Sequence, residues 1–188
     1  MSRVKLVEKE DASRLIQRMF GQMEKAFGAV PNTSRALAQV EGFVGNVAGL
    51  SKIESYEGEL ARPLKWLAKL RVAHKNDCAF CIDIGHARAP EAGLSEEQLK
   101  ALIAQEPPTH EIWSSEEQLV LAYTDALVDT MTVSDEMFAG MRESFSEAQI
   151  IELTTQIAVE TFYNIINRAL GIEAQGFGSL LPPSPAGE

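Results

Sequence analysis

Between residues 95 and 149, three runs in which a serine is followed, three positions on, by a glutamate or glutamine read as helix starts: Ser95-Glu96-Glu97-Gln98, Ser114-Ser115-Glu116-Glu117 and Ser146-Glu147-Ala148-Gln149. This is the capping-box pattern, in which the two side chains satisfy orphan backbone N–H groups at a helix start. The boxes predict helices from Ser95 to Ala104 or Gln105, from Ser114 through Val128 and from Ser146 through Leu170, with Gly171 as the stop. Ser134 starts another, through Glu143. No segment alternates apolar and polar residues as a half-buried strand does, so the fold class is all-α.

The N-terminal half reads the same way. From Asp11 to Phe27, Leu15, Ile16, Met19, Phe20, Met23 and Phe27 recur at three- and four-residue steps, an amphipathic helix with these residues as core. A second helix is expected from Pro31 or Thr33 toward Ile53, with Gly42, Gly45 and Gly49 permitting close packing. Glu59 to Lys75 forms a third, with Leu60, Leu64, Leu67, Leu70 and His74 along one side, so His74 reads as a hydrogen-bonded core residue. His110, in the Pro107-Pro108 loop, reads as solvated. The total is about seven or eight helices in one domain, residues 1–177, with a Pro-rich tail, 178–188, expected to be partly loose from Gly176.

Between the third helix and Pro90 lies the only stretch with cysteines: Asp77-Cys78-Ala79-Phe80-Cys81-Ile82-Asp83-Ile84-Gly85-His86. Two cysteines three apart share a helix face and are close enough for a disulfide when the first sits at the helix N-terminus. Asn76-Asp77 is a turn-like pair with Asp77 placed to cap the new helix, which puts Cys78 at its positive end. That end favours a thiolate, while the Asp77 carboxylate opposes it. A C-x-x-C also occurs as two small buried hydrophobes. Zinc is disfavoured, because the chain has no second C-x-x-C or paired histidines to complete four ligands.

The net charge of −10 argues against nucleic acid or an anionic membrane as partner. No apolar run is long enough to span a bilayer, and Met1 to Glu10 lacks a signal-peptide core. A cytoplasmic, reducing setting is expected, where such a dithiol is more plausibly catalytic than structural.

Several runs together resemble the carboxymuconolactone decarboxylase superfamily and, within it, the alkylhydroperoxidase D-like proteins. They are Arg62-Pro63-Leu64-Lys65 leading into Leu70-Arg71-Val72-Ala73, then Cys78-Ala79-Phe80-Cys81, Ala92-Gly93-Leu94-Ser95, Phe145-Ser146 to Glu152-Leu153, and Asn167-Arg168-Ala169-Leu170-Gly171-Ile172. The resemblance spans about Phe27 to Phe177 and implies an all-helical homo-oligomer with the dithiol at the start of a central helix. In the peroxidase members one cysteine attacks a hydroperoxide to give a sulfenic acid, and the other resolves it as a disulfide. The decarboxylases do different chemistry without this pair.

The peroxidase pattern also has a glutamate twelve residues before the first cysteine and a histidine four after the second, as a proton relay. Here those positions are Trp66 and Gly85. On an ideal helix position 85 lies over both sulfurs, whereas His86 is rotated about 140° from Cys81 and Asp83 about 160°. His86 therefore replaces the missing imidazole only through a local bulge or a neighbouring subunit. Arg62 and Lys69, one turn either side of Trp66, are candidates for electrostatic activation, against the reading that both are solvated cations. Helix-end electrostatics favour Cys78 as the acidic thiol, and the family relay favours Cys81 as attacker with Cys78 as resolver.

Three functions fit. The first is a thiol-dependent peroxidase or disulfide oxidoreductase acting on a small hydroperoxide or disulfide, with Cys81, Cys78 and His86 as catalytic candidates, an external dithiol as reductant and no cofactor or metal. The second is a decarboxylase-type or other small-molecule enzyme with polar groups from the last long helix, Glu160, Tyr163, Asn164, Asn167 and Arg168. Trp66, Glu160, Asn164 and Asn167 are the candidate substrate contacts, although the step of Glu160, Asn164 and Asn167 equally suits a solvated or subunit-facing side. The third is a non-catalytic oligomeric binding protein that retains the fold.

Overall fold

The structure, a computed structural model, describes residues 2–40 and 42–180. These form ten α-helices: α1 Arg14–Phe27, α2 Asn32–Leu37, α3 Phe43–Glu54, α4 Arg62–Lys75, α5 Ala79–Arg88, α6 Glu96–Ile103, α7 Ser115–Thr130, α8 Asp135–Ser144, α9 Glu147–Leu170 and α10 Phe177–Leu180. Short 3-10 turns cover Lys9–Asp11 and Pro90–Ala92, and no strand occurs among the described residues. All three capping boxes are formed, at Ser95, Ser114 and Ser146, with both reciprocal hydrogen bonds in each.

Helix α4 is the axis of the fold, because three of its faces feed three separate core clusters. Leu64, Ala68 and Val72 pack with Val120 and Tyr123 of α7, Met141 of α8 and Leu153 and Ile157 of α9. Leu67 and Leu70 face Ala89, Leu94, Leu102, Trp113 and Leu121. Ala73 joins Cys78, Phe80, Cys81, Ile172 and Phe177. Burying a leucine of this kind contributes roughly 2 kcal/mol. Two cations on so enclosed a helix need partners. Lys65 lies 2.8 Å from Glu152, and Arg71 holds Asp125 through two hydrogen bonds of 2.7 and 2.8 Å and the Glu106 carbonyl at 3.0 Å.

Four expectations need correction. The single helix toward Ile53 is two helices: after Leu37 the chain tightens into three-residue turns at Gln39 and Val40 and restarts at Phe43. A Cβ on Gly42, Gly45 or Gly49 would meet nothing within 4 Å, so these glycines permit no close contact. The Asp77 side chain is not the cap of α5. Asp77 takes a left-handed backbone (φ 49°) that reverses the chain after α4, and Cys78 is the N-cap. Residues from Gly176 are pinned as far as α10: Asp83 accepts the backbone N–H groups of Gln175, Gly176 and Phe177, and Phe177 is fully buried edge-on against Phe80. Residues 181–188, with the three prolines of the expected tail, lie outside the described residues.

Candidate functional site

The site is where the N-terminus of α5 meets the C-terminal half of α9. Cys78 and Cys81 are joined in a disulfide, with Cα atoms 5.3 Å apart. The Cys78 sulfur occupies the N-cap position and accepts the Cys81 backbone N–H at 3.4 Å, so it takes the place usually held by a serine or aspartate oxygen. Its own N–H is tied back to the Ala73 carbonyl at 3.0 Å, which fixes α5 on α4. Both cysteines are buried, 1% and 5% exposed, and Cys78 lines a surface depression of about 380 Å³ together with Arg3, Asp77 and Asn167.

Cys81 is met from α9. The side-chain amide nitrogens of Asn164 and Asn167 donate to its sulfur at 3.1 and 3.3 Å. Each asparagine is itself 1% exposed and held in place. Asn167 accepts the Thr33 hydroxyl at 2.5 Å on its carbonyl oxygen. Asn164 distributes its two N–H hydrogens among the sulfur, the Glu160 carboxylate at 2.7 Å and the Glu160 backbone carbonyl at 2.8 Å, and its buried carbonyl oxygen has no partner. Two amide donors aimed at one sulfur stabilise negative charge there once the disulfide is reduced, which favours the thiolate over the thiol.

Behind the amides sits Glu160, 8% exposed. Burial pushes its carboxyl up to about 7; Lys69 opposes that rise, Glu54 adds to it, and the Asn164 hydrogen bond opposes it. Burial, with Glu54 and Glu160 nearby, likewise raises the Tyr163 hydroxyl. Lys69 is no solvated cation. It lies 2.8 Å from Glu54 and 4.5 Å from the centre of the Trp66 ring. Arg62 is exposed, as the solvated reading has it.

The other singled-out residues are elsewhere. Trp66 packs against the Leu67, Leu70 and Trp113 cluster. Gly85 is closed off: a Cβ there would stand 2.6 Å from Leu70 Cδ2, inside the α4–α5 contact. His110 is a loop residue whose Nδ1 accepts the Ile112 N–H at 3.3 Å. His86 turns to His74, with their Nε2 atoms 2.8 Å apart, so one imidazole donates and the other accepts. Burial, then His86 and Arg71, lower His74 to about 4, and burial lowers His86.

That pair makes a pH prediction. The folded His74 resists a proton that the unfolded chain takes up near 6.5, so its contribution to stability is present above 6.5 and is lost as pH falls toward 4. Glu160 has the opposite sign, since its raised carboxyl favours folding at low pH and loses that contribution between 4.5 and 7. The stability difference between the native protein and His74→Gln therefore shrinks by about 2 kcal/mol from pH 7 to 4, allowing for the solvent contact that remains. Urea denaturation at the two pH values checks it, and a constant difference contradicts it.

Sequence reasoning placed the dithiol at a helix start but left the α9 residues open between a binding face and a solvated one. They are neither exposed nor free: Glu160, Asn164 and Asn167 form a buried polar line that ends on Cys81. The available signal was a polar line at four- and three-residue steps in the more apolar C-terminal half of the helix.

Residues 43–124 match the model of the carboxymuconolactone decarboxylase family. The Bacillus subtilis (strain 168) protein YdfG is 30% identical over 120 residues, which cover 63% of this chain and 80% of YdfG. The chain belongs to the carboxymuconolactone decarboxylase family. Several solved structures share its fold. The alkylhydroperoxidase AhpD core, peroxidase-related protein of Ralstonia eutropha JMP134 superposes with a TM-score of 0.83 at 14% identity, covering 94% of each chain. The debrominase Bmp8, in complex with 2,3,4-tribromopyrrole, gives 0.78 at 20% identity, covering 95% of this chain and 96% of its own. An Agrobacterium tumefaciens protein, ATU0492, described as a putative antioxidant defence protein, gives 0.62 at 24% identity, covering 70% and 89%. At these identities the likeness is one of fold.

Proposed function

We propose that this member of the carboxymuconolactone decarboxylase family is a thiol-dependent peroxidase or disulfide oxidoreductase whose redox pair is Cys78 and Cys81. The observation that carries the reading is the pair of buried amide donors, Asn164 and Asn167, on the Cys81 sulfur. A merely structural disulfide has no use for groups that stabilise a thiolate on one of its two sulfurs.

The asymmetry assigns roles. A thiolate of an external dithiol attacks the Cys78 sulfur, which lines the depression, and the S–S bond breaks with both its electrons on Cys81. Cys81 is the better leaving group because its charge is received by two N–H donors. The second thiol of the reductant then displaces Cys78, leaving a Cys78 thiol and a Cys81 thiolate. Cys81 attacks a hydroperoxide, the O–O bond breaks, an alkoxide leaves and is protonated, and Cys81 becomes a sulfenic acid. Cys78 displaces water from it and restores the disulfide. His86, engaged with His74, takes no step.

The decarboxylase-type reading has less support, since Glu160 is buried behind Asn164 and the amides of Asn164 and Asn167 are engaged with the Cys81 sulfur. Cumene hydroperoxide consumption, with a lipoyl or thioredoxin-type dithiol as reductant, tests the reading. Cys81→Ser is expected to lose at least a hundredfold in turnover, and Cys78→Ser to stop at the sulfenic acid. Unchanged turnover in the double variant would sink it. The reading includes a homo-oligomer. In its support, Ile151, Phe162 and Ile165 are exposed along the outward face of α9. Sedimentation at a single chain's mass would contradict that part.

A further inference from the structure

Reducing a buried disulfide puts negative charge where solvent cannot neutralise it, so the place of the compensating proton decides how the couple works. One carboxyl is joined to the redox sulfur by a single side chain. The Asn164 amide nitrogen lies 3.1 Å from Cys81 Sγ and 2.7 Å from Glu160 Oε1, so thiolate and carboxylate would compete for the same donor. We infer that Glu160 takes up a proton when the Cys78–Cys81 disulfide is reduced, so that the resting dithiol state is a Cys81 thiolate beside a neutral Glu160 carboxyl. This deepens the redox reading of the same site and rests on it.

The step balances. Disulfide, ionised Glu160, two electrons and two protons give a Cys78 thiol, a Cys81 thiolate and a protonated Glu160, with a charge of −1 in both states after the two electrons and two protons are added. A dithiol reductant supplies both electrons and both protons as it closes to its own disulfide. Glu160 acts through Asn164 and is a positioning residue.

The surroundings favour this assignment. The groups that face Glu160 are Lys69 from α4, Glu54 from α3, Tyr163 on its own helix and, through Asn164, Cys81 from α5. Lys69, the cation near Glu160 among the described residues, is already paired with Glu54 at 2.8 Å, so its charge only partly offsets that of Glu160. Asn164 Oδ1, on the same amide whose nitrogen binds the Glu160 carboxylate, is buried without a partner and has an open acceptor site for a donor such as a protonated carboxyl. With the disulfide intact Glu160 already titrates at about 7, and a thiolate next to it raises that further.

Two measurements on the protein test this with dithiothreitol as reductant. A reduced-minus-oxidised infrared difference spectrum of the native protein near pH 8 is expected to gain the carbonyl stretch of a protonated carboxyl, and Glu160→Gln to lack that band. Over roughly pH 7.5–8.5 the equilibrium constant against dithiothreitol is expected to be flat for the native protein, because each couple takes up two protons. In Glu160→Gln it should shift toward reduced protein about tenfold per pH unit, because only Cys78 takes one. A native spectrum with no such band, a band that persists in Glu160→Gln, or equal pH slopes in both proteins overturns the inference. The peroxidase reading fails separately, on whether hydroperoxide reoxidises the reduced native protein.

Discussion

Replacing Asn164 and Asn167 together with alanine is expected to slow hydroperoxide reduction by roughly ten- to a hundredfold at pH 7 while leaving the disulfide able to form. The argument is electrostatic. Both amides donate to the Cys81 sulfur, and a hydrogen bond to a charged group is worth about 1.5–3 kcal/mol, so losing two raises the thiol toward or above its free value of about 8.5. Stability should fall as well, by about 2–4 kcal/mol, because Thr33 loses its buried acceptor and Glu160 its donor. The kinetic effect separates from the structural one by its pH dependence: the double variant recovers rate as pH is raised past 9, which a merely loosened fold would not do. Hydroperoxide consumption from pH 6 to 10, beside urea denaturation, gives both numbers. A variant with native rate and native pH profile would remove the amides from the mechanism.

Gly85→His, the substitution that restores the family's relay histidine by position, is expected to destabilise the protein by about 2–4 kcal/mol without raising turnover. A Cβ at residue 85 already falls 2.6 Å from Cδ2 of Leu70, a residue of α4 that is 1% exposed and packs in the cluster with Leu102 and Trp113. The leucine cannot swing away without opening that cluster, so the added imidazole overpacks the α4–α5 contact. Gly85→Ala should carry a smaller part of the same cost, about 1–2 kcal/mol. Denaturation midpoints of the three proteins check the order. A stable Gly85→His protein with faster peroxide turnover would mean that this face is open to a relay and that the site works as in the relay-bearing members.

The starts at Ser95, Ser114 and Ser146 were legible because a capping box is decided by four consecutive residues, whatever the rest of the chain does. The start of α5 was misread by one residue, Asp77 for Cys78, because sulfur is not among the usual capping groups and the turn needs Asp77 itself in the left-handed region. Lys69 looked solvated because its partner Glu54 belongs to α3, whose start the sequence did not reveal. The line Glu160, Asn164, Asn167 could be read as one face of a helix, but not as the face that meets Cys81, since docking of α9 on α5 is a tertiary fact. The two donors to Cys81 come from a part of the chain more than 80 residues away, at sequence separations of 83 and 86.

The central claim is that Cys81 carries the thiolate. Site-resolved alkylation of the reduced native protein as a function of pH, quantified separately at Cys78 and Cys81 by mass spectrometry, tests it most directly. The expected result is a Cys81 that reacts with an apparent midpoint near or below pH 7 and a Cys78 that titrates later. Both thiols inert, or both titrating near the free value of about 8.5, would contradict it.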